Sequence, residues 1–389
     1  MQRGLITIAA AAALALVAGP APAQDVVKIG MSFAMTGAGF AAAGRQAWAG
    51  ARLYMQHHGN MVAGKKIEVI MRDDGGVADN ARRLVQEMIV NDKVHIIGGG
   101  ITPTVLAYGQ LVTQAKIATV VMISGASVTT NGSPYFVRTS FILAQSSWIM
   151  GEWAAKNGSK RVVTLVNEWA PGTEAETAFK QRFTELGGQI VESIRIPLAN
   201  PDFAPFLQRI RDIGPDTAFI YFPGTQAGIF AKQFAERGLG QSGIKVIGPG
   251  DLTDDDELNG LGDQMLGMIT AHQYSALHDS PMNKAYVAAF KQANNFRPNF
   301  ISLGGYDGMH VIYEALKKTG GKTDGDALLA AMKGMRWESP RGTISIDPDT
   351  RDIVQNIYMR KVEKVNGELY NVEFQTFEAV KDPMKSAKK

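Results

Sequence analysis

No cysteine occurs among the 389 residues, which excludes a disulfide framework, a thiolate nucleophile, a cysteine-ligated zinc site and a lipid carried on a cysteine. Neither sign of charge dominates: 40 Lys and Arg stand against 37 Asp and Glu, a formal net charge of +3. No basic stripe is interleaved with aromatics, so nucleic acid is excluded as a partner. Past the N-terminus no apolar run approaches the length of a membrane span. Hydrolase, nucleotide-binding and metalloprotease signatures (GxSxG, GxxxxGK[ST], HExxH) are all missing, and His57, His58, His272, His278 and His310 lack metal-ligand spacing. The expectation is a protein with no catalytic residue, no metal and no cofactor.

What is present begins with an address. Arg3 precedes an uncharged, alanine-rich run from Leu5 to Ala18, too short to cross a bilayer, and Ala21-Pro22-Ala23 offers small residues to a signal peptidase. Residues 1–23 are therefore expected to be a signal peptide, leaving a soluble, exported, periplasmic chain.

Beyond it, short apolar runs alternate with amphipathic segments, the signature of a parallel α/β sheet. Strands are expected at Val26 to Phe33, Lys66 to Met71, Val94 to Gly98 and Ala118 to Ile123, with helices between them. A second such series runs from Ile142 to Gly248, so the fold is expected to be two doubly wound lobes. Late strands at Gly342 to Ile346, Ile353 to Val362 and Leu369 to Thr376 are separated by the turn signals Asp347-Pro348-Asp349 and Asn366-Gly367. No linker separates the lobes, which suggests that the chain crosses between them more than once.

In open parallel sheets ligands bind beyond the carboxyl ends of the strands, near helix N-termini. There the chain carries Gly99-Gly100-Ile101-Thr102-Pro103, with Thr102 suited to an N-cap, and Ser124-Gly125-Ala126-Ser127. Together they read as a clamp for a ligand carboxylate. The long loop Met35 to Gly44 contains Phe40. In the second lobe the strand ends carry Asn167-Glu168-Trp169, Phe222-Pro223-Gly224-Thr225 and Gly248-Pro249-Gly250-Asp251. Trp169, Tyr221 or Phe222 suits an apolar ligand body, and Asp251 or Glu168 suits an ammonium. Asp254-Asp255-Asp256-Glu257 reads as a solvated helix start, Thr173 with Glu176 as a capping box, and Asp73-Asp74 before Gly75-Gly76 as a capped turn.

The order of these pieces resembles the branched-chain amino acid (Leu/Ile/Val) binding proteins of ABC importers. The resemblance rests on Ile29-Gly30-Met31-Ser32 to Met35-Thr36-Gly37, Arg72-Asp73-Asp74, Ile97-Gly98-Gly99, Ile123-Ser124-Gly125-Ala126, Tyr135 to Thr139 and Gly248-Pro249. It implies a type I periplasmic-binding fold whose lobes are joined by three crossovers, near Arg138 to Ser140, Thr270 to Tyr274 and Ile346 to Asp349. Lobe I would then comprise 24–138 plus 274–346, lobe II 139–273 plus 347–380, and the tail 381–389. The expected partners are a small carboxylate ligand and an ABC permease of the inner membrane, served by a monomer. The resemblance matches the family's carboxylate site to Thr102, Ala126 and Ser127. Where leucine-type members place a glutamate for the ammonium, this chain has Gly250, with Asp251 next. The resemblance matches the family's first-loop aromatic to Ala43 or, with an insertion, to Phe40, and Thr225 completes the ligand-binding set. Family membership favours an amino acid, while the residues favour an aromatic or other acid without an ammonium. A sensory binding protein and an α/β enzyme using Asp73, Asp74 or His57 are the remaining readings.

Overall fold

The computed structural model describes residues 25–37, 39–197, 202–222 and 226–386. The expected signal peptide, the end of the tail and Thr225 lie outside the described residues.

The first lobe is laid down by β1 (Val26–Phe33), α1 (Ala41–His58), β2 (Met61–Val62), β3 (Lys65–Asp73), α2 (Ala78–Glu87), β4 (Ile96–Gly99), α3 (Thr102–Ala115), β5 (Thr119–Val121) and β6 (Phe136–Arg138). The strands form one sheet in the order β2-β3-β1-β4-β5-β6, parallel except for β2. The continuous apolar character of β1, β4 and β5 follows from burial on both faces.

The second lobe runs through α4 (Leu143–Lys156), β7 (Arg161–Asn167), α5 (Ala170–Glu185), β8 (Gln189–Ile196), α6 (Ala204–Ile213), β9 (Thr217–Tyr221), α7 (Gln226–Glu236), β10 (Lys245–Pro249), α8 (Leu258–Leu261) and β11 (Ile269–His272). The chain then returns to cover the first lobe with α9 (Pro281–Asn294), α10 (Phe300–Lys318) and α11 (Gly325–Met332), and ends in β12 (Arg336–Ser339), β13 (Gly342–Ile346), β14 (Ile353–Val365), β15 (Glu368–Val380) and α12 (Pro383–Ser386). The second sheet has nine strands, in the order β12-β13-β14-β11-β10-β9-β7-β8 with β15 on β14. Asn366 and Gly367 both have positive φ, 53° and 87°, at the β14–β15 turn, the backbone that a two-residue hairpin turn of type I′ requires.

Three segments pass between the lobes, after β6, after β11 and between β13 and β14. The last of these joins strands of the second sheet, yet Trp337, Ile344 and Ile346 of β12 and β13 bury their side chains in the first lobe's core. Buried ion pairs pin these segments. Arg138 meets Asp352 at 3.0 Å and Arg341 meets Asp307 at 2.9 Å, all four side chains at most 2% exposed. Arg341, in the β12–β13 turn, also donates to the carbonyl of Thr139 at 2.6 Å, tying that turn to the first crossing. Every donor of such a guanidinium needs a partner once water is excluded.

Candidate functional site

Between the lobes lies a cavity of about 490 Å³, lined from both sides by the loops at the carboxyl ends of the strands. The lobe I wall is built by three turns. The β1–α1 loop supplies Phe40, Ala42 and Ala43; the β4–α3 turn supplies Ile101 and Thr102; the segment after β5 supplies Ser124 and Ala126. Gly99 and Gly100 have φ of 117° and 82°, and a Cβ on Gly99 would lie 2.2 Å from the Ser32 carbonyl oxygen. Only glycine lets the chain turn here and bring α3 end-on to the cavity.

Thr102 is the first residue of α3 rather than its N-cap, a position taken by Ile101. Its hydroxyl does not bond to its own helix but joins a chain of hydroxyls, Thr102 to Ser124 at 2.7 Å and Ser124 to Thr129 at 2.7 Å, anchored by Thr129 donating to the Ala126 carbonyl at 2.7 Å. Because Thr129 donates to a carbonyl, the protons run from Thr102 to Ser124 to Thr129, so the Thr102 hydroxyl turns only lone pairs to the cavity and it is the start of α3, the positive end of its dipole, that can receive an anion here.

Lobe II presents a different chemistry. Trp169, at the end of β7, lines the cavity with its indole ring 6.4 Å from that of Phe40 across the cleft. Its buried Nε1–H has no hydrogen-bond partner among the described residues. Tyr221 ends β9, and its phenol is held protonated by burial and by the carboxylates of Asp251 and Glu174. Asp251 follows β10; its Oδ2 is buried without a hydrogen-bond partner and sits 3.8 Å from Nε2 of His272. Burial pushes the Asp251 carboxyl up to about 6, with Arg360 pulling the other way. Burial, reinforced by Arg360, holds the His272 imidazole well below its ordinary value, so Asp251 faces a neutral ring near neutral pH.

Phe40, Thr102, Ala126, Trp169 and Asp251 are thus brought together at one cavity. Ser127 and Phe222 are not among its lining residues. The Ser127 N–H donates to Glu174 at 3.0 Å, and its hydroxyl lies 3.0 Å from both Glu174 and Asp382, so this turn is engaged within the protein. Phe222 is fully buried in the lobe II core against Phe203 and Phe230, because side chains alternate along β9 and Tyr221 takes the cavity side.

Other expectations need correction. The run Asp254 to Glu257 is not a solvated helix start. Asp254 accepts from Asn299 of lobe I at 2.9 Å, Asp255 is 3% exposed and bonded to Asn371, and Asp254, Asp256 and Glu257 line the cavity. Thr173 with Glu176 is no capping box, since α5 already starts at Ala170 and Glu176 is buried with Thr164 and Arg195. Asp73 and Asp74 do form a capped turn, accepting from Gly75 N at 2.9 Å and Gly76 N at 2.8 Å. Position 250 has no room for a side chain: a Cβ there would lie 2.2 Å from the Arg360 guanidinium and 2.3 Å from His272. Sequence reasoning missed Glu174, Phe141 and Phe300 as lining residues. Among the described lining residues five are carboxylic acids, all from lobe II, and none is Lys, Arg or His.

The chain matches the model of the periplasmic binding protein family over residues 26–367. It is 42% identical over 385 residues to Leu/Ile/Val-binding protein homolog 6 of Brucella suis biovar 1, covering 97% of this chain and 98% of that one. Among solved structures, a solute binding protein of an ABC transporter from Rhodopseudomonas palustris BisB5, in complex with 3,4-dihydroxybenzoic acid, is 62% identical with a TM-score of 0.89, over 93% of this chain and 100% of that one. Another from R. palustris, in complex with 4-hydroxybenzoate, is 38% identical with a TM-score of 0.88, over 92% of this chain and 99% of that one. Two sheet-based lobes, an interlobe cavity at the strand ends and these matches lead to one conclusion: the chain belongs to the periplasmic binding protein family, as a substrate-binding protein of the ABC transporter type.

Proposed function

We propose that the protein captures an aromatic monocarboxylic acid bearing ring hydroxyls in its interlobe cavity and delivers it, as a periplasmic monomer, to an inner-membrane ABC permease. Its role is binding, with no chemical step. The ligand carboxylate lies at the Thr102 end, toward the first backbone N–H groups and the positive end of α3, and the ring lies between Phe40 and Trp169. The observation that carries this reading is Asp251 Oδ2, a buried carboxylate oxygen on the cavity wall opposite Thr102 that has no hydrogen-bond partner among the described residues. It calls for a hydrogen-bond donor on the ligand, and the acidic wall around it drives a ligand carboxylate to the other side. The 62% identical relative, solved with 3,4-dihydroxybenzoic acid, supports the same class.

An ammonium would also satisfy Asp251, and the name of the Brucella relative favours that second reading. Ligand bridging both lobes favours the closed arrangement, the hinge motion for which periplasmic binding proteins are a standing example. Calorimetry with 3,4-dihydroxybenzoate, benzoate, phenylalanine and leucine separates the readings. The expected order is 3,4-dihydroxybenzoate, then benzoate, with no measurable binding of either amino acid; tighter binding of phenylalanine or leucine overturns it.

A further inference from the structure

The lobe I turn that suits a ligand carboxylate already holds one from the protein itself. Glu174 projects from α5 of lobe II and lines the cavity. Its Oε1 accepts from the Ser127 backbone N–H at 3.0 Å and lies 3.0 Å from the Ser127 hydroxyl, while Oε2 is 3.2 Å from the same N–H. The hydroxyl has one proton to divide between Glu174 and Asp382, so the N–H is the donor committed to Glu174.

The receiving turn is rigid. Arg138 donates to the Ala126 carbonyl at 2.6 Å and to that of Ser124 at 3.2 Å, and is itself fixed by Asp352. Burial raises the Glu174 carboxyl above its ordinary value; the Ser127 hydrogen bonds and Arg138 oppose that, and Asp382 adds to it. A second anion at this turn would find its N–H taken and would face like charge out of water.

We propose that Glu174 is a built-in occupant of the Ser127 turn, which clasps lobe II to lobe I and restricts the cleft to ligands with a single anionic group, seated at the Thr102 end. The restriction rests on the reading of the cavity as a carboxylic-acid site; the clasp does not.

The test uses the mature chain and its Glu174→Ala and Glu174→Gln variants, with calorimetry on 3,4-dihydroxybenzoate, benzoate and benzene-1,4-dicarboxylate, and small-angle scattering without ligand. Wild type is expected to bind the first and reject the second. Glu174→Ala should gain about ten- to a hundredfold in affinity for the dicarboxylate relative to the monoacid, the range of a hydrogen bond to a charged group. Glu174→Gln, which keeps the shape and one acceptor, should gain less. Without ligand, Glu174→Ala should have a larger radius of gyration than wild type. An unchanged dicarboxylate preference in both variants overturns the restriction. An unchanged radius of gyration overturns the clasp. If the dihydroxybenzoate preference over benzoate collapses instead, Glu174 is a ligand contact and the proposal fails. If wild type binds no acid at all, the proposed function and the restriction fall together, and the ligand-free scattering still decides the clasp.

Discussion

The two walls of the cavity are made from the same kind of element, the loop between a strand end and a helix, yet their chemistry is opposite. Lobe I offers aromatic and aliphatic side chains, among them Phe40, Ile101 and Phe300, with two hydroxyls and the start of α3, and among the described residues no acid. Lobe II offers Glu174, Asp251, Asp254, Asp256 and Glu257 beside Tyr221 and Trp169. A helix N-terminus receives an anion without carrying formal charge. A wall of partly desolvated carboxylates rejects an anion and receives donors. The contrast implies a ligand with unlike ends, and it assigns each end to a lobe.

The largest expected effect comes from breaking what holds the walls in register. Arg138→Ala leaves Asp352 buried beside only Lys385 and Thr130, and removes the guanidinium from the carbonyls of Ser124, Ala126 and Phe141. Chemical denaturation should show a loss of about 3–5 kcal/mol. A smaller loss, under about 1 kcal/mol, would mean that Lys385 alone compensates the buried Asp352 at the hinge.

Trp169→Ala tests the element that the walls share, the aromatic cover. It should cost about 2 kcal/mol or more of binding, nearly equally for benzoate and 3,4-dihydroxybenzoate, because the ring rather than its substituents is covered. A loss confined to the hydroxylated acid would shift the role to the unpartnered indole N–H.

Acid should weaken only the lobe II half of the contrast. Asp251 carries a carboxyl raised to about 6, among the neutral His272, Arg360, Tyr221 and Glu174. A ligand that donates to it favours the ionised form and lowers its pKa in the complex. Affinity for the hydroxylated acid is then steady above about pH 6 and falls by up to about tenfold per unit below it. In the ligand-free protein the sign is the reverse. Because the folded value lies above the unfolded one, the cost of the ionised form is absent below the unfolded carboxyl value and complete above about 6. Asp251→Asn should flatten both profiles in titrations between pH 5 and 7, numbers chosen to bracket that value by about one unit.

The smallest effect is expected from Tyr221→Phe. Loss of one neutral hydroxyl at the lobe II wall should cost about 0.5–1.5 kcal/mol for the hydroxylated acid and nothing for benzoate, by calorimetry. Equal losses for both would place the ligand carboxylate against lobe II.

The same two walls were unequally legible in the sequence. Phe40, Thr102, Trp169 and Asp251 sit where strand ends meet helix starts, and the alternation of apolar and amphipathic segments is enough to find those places. Glu174 was hidden because Thr173 and Glu176 have capping-box spacing, whereas the helix begins earlier, with Pro171 in its first turn. Phe222 against Tyr221 is a question of one residue of phase at the end of a strand, which composition does not reveal. Asp254 to Glu257 look solvated in isolation, since only the other lobe supplies Asn299 and Arg297 to Asp254 and Asp255. What crosses between lobes is tertiary, and a linear pattern carries little of it.

The assignment of ligand ends to lobes is tested most directly by a cycle of two variants and three ligands. Thr102→Pro, which removes the backbone N–H at the start of α3, and Asp251→Asn are titrated against 3,4-dihydroxybenzoate, benzoate and catechol, the last lacking the carboxylate. Thr102→Pro should weaken the two acids by about 1.5–3 kcal/mol and spare catechol, while Asp251→Asn should weaken 3,4-dihydroxybenzoate and catechol by a similar amount and spare benzoate. The opposite pattern, with catechol sensitive to Thr102 and benzoate to Asp251, would contradict the account by turning the ligand end for end.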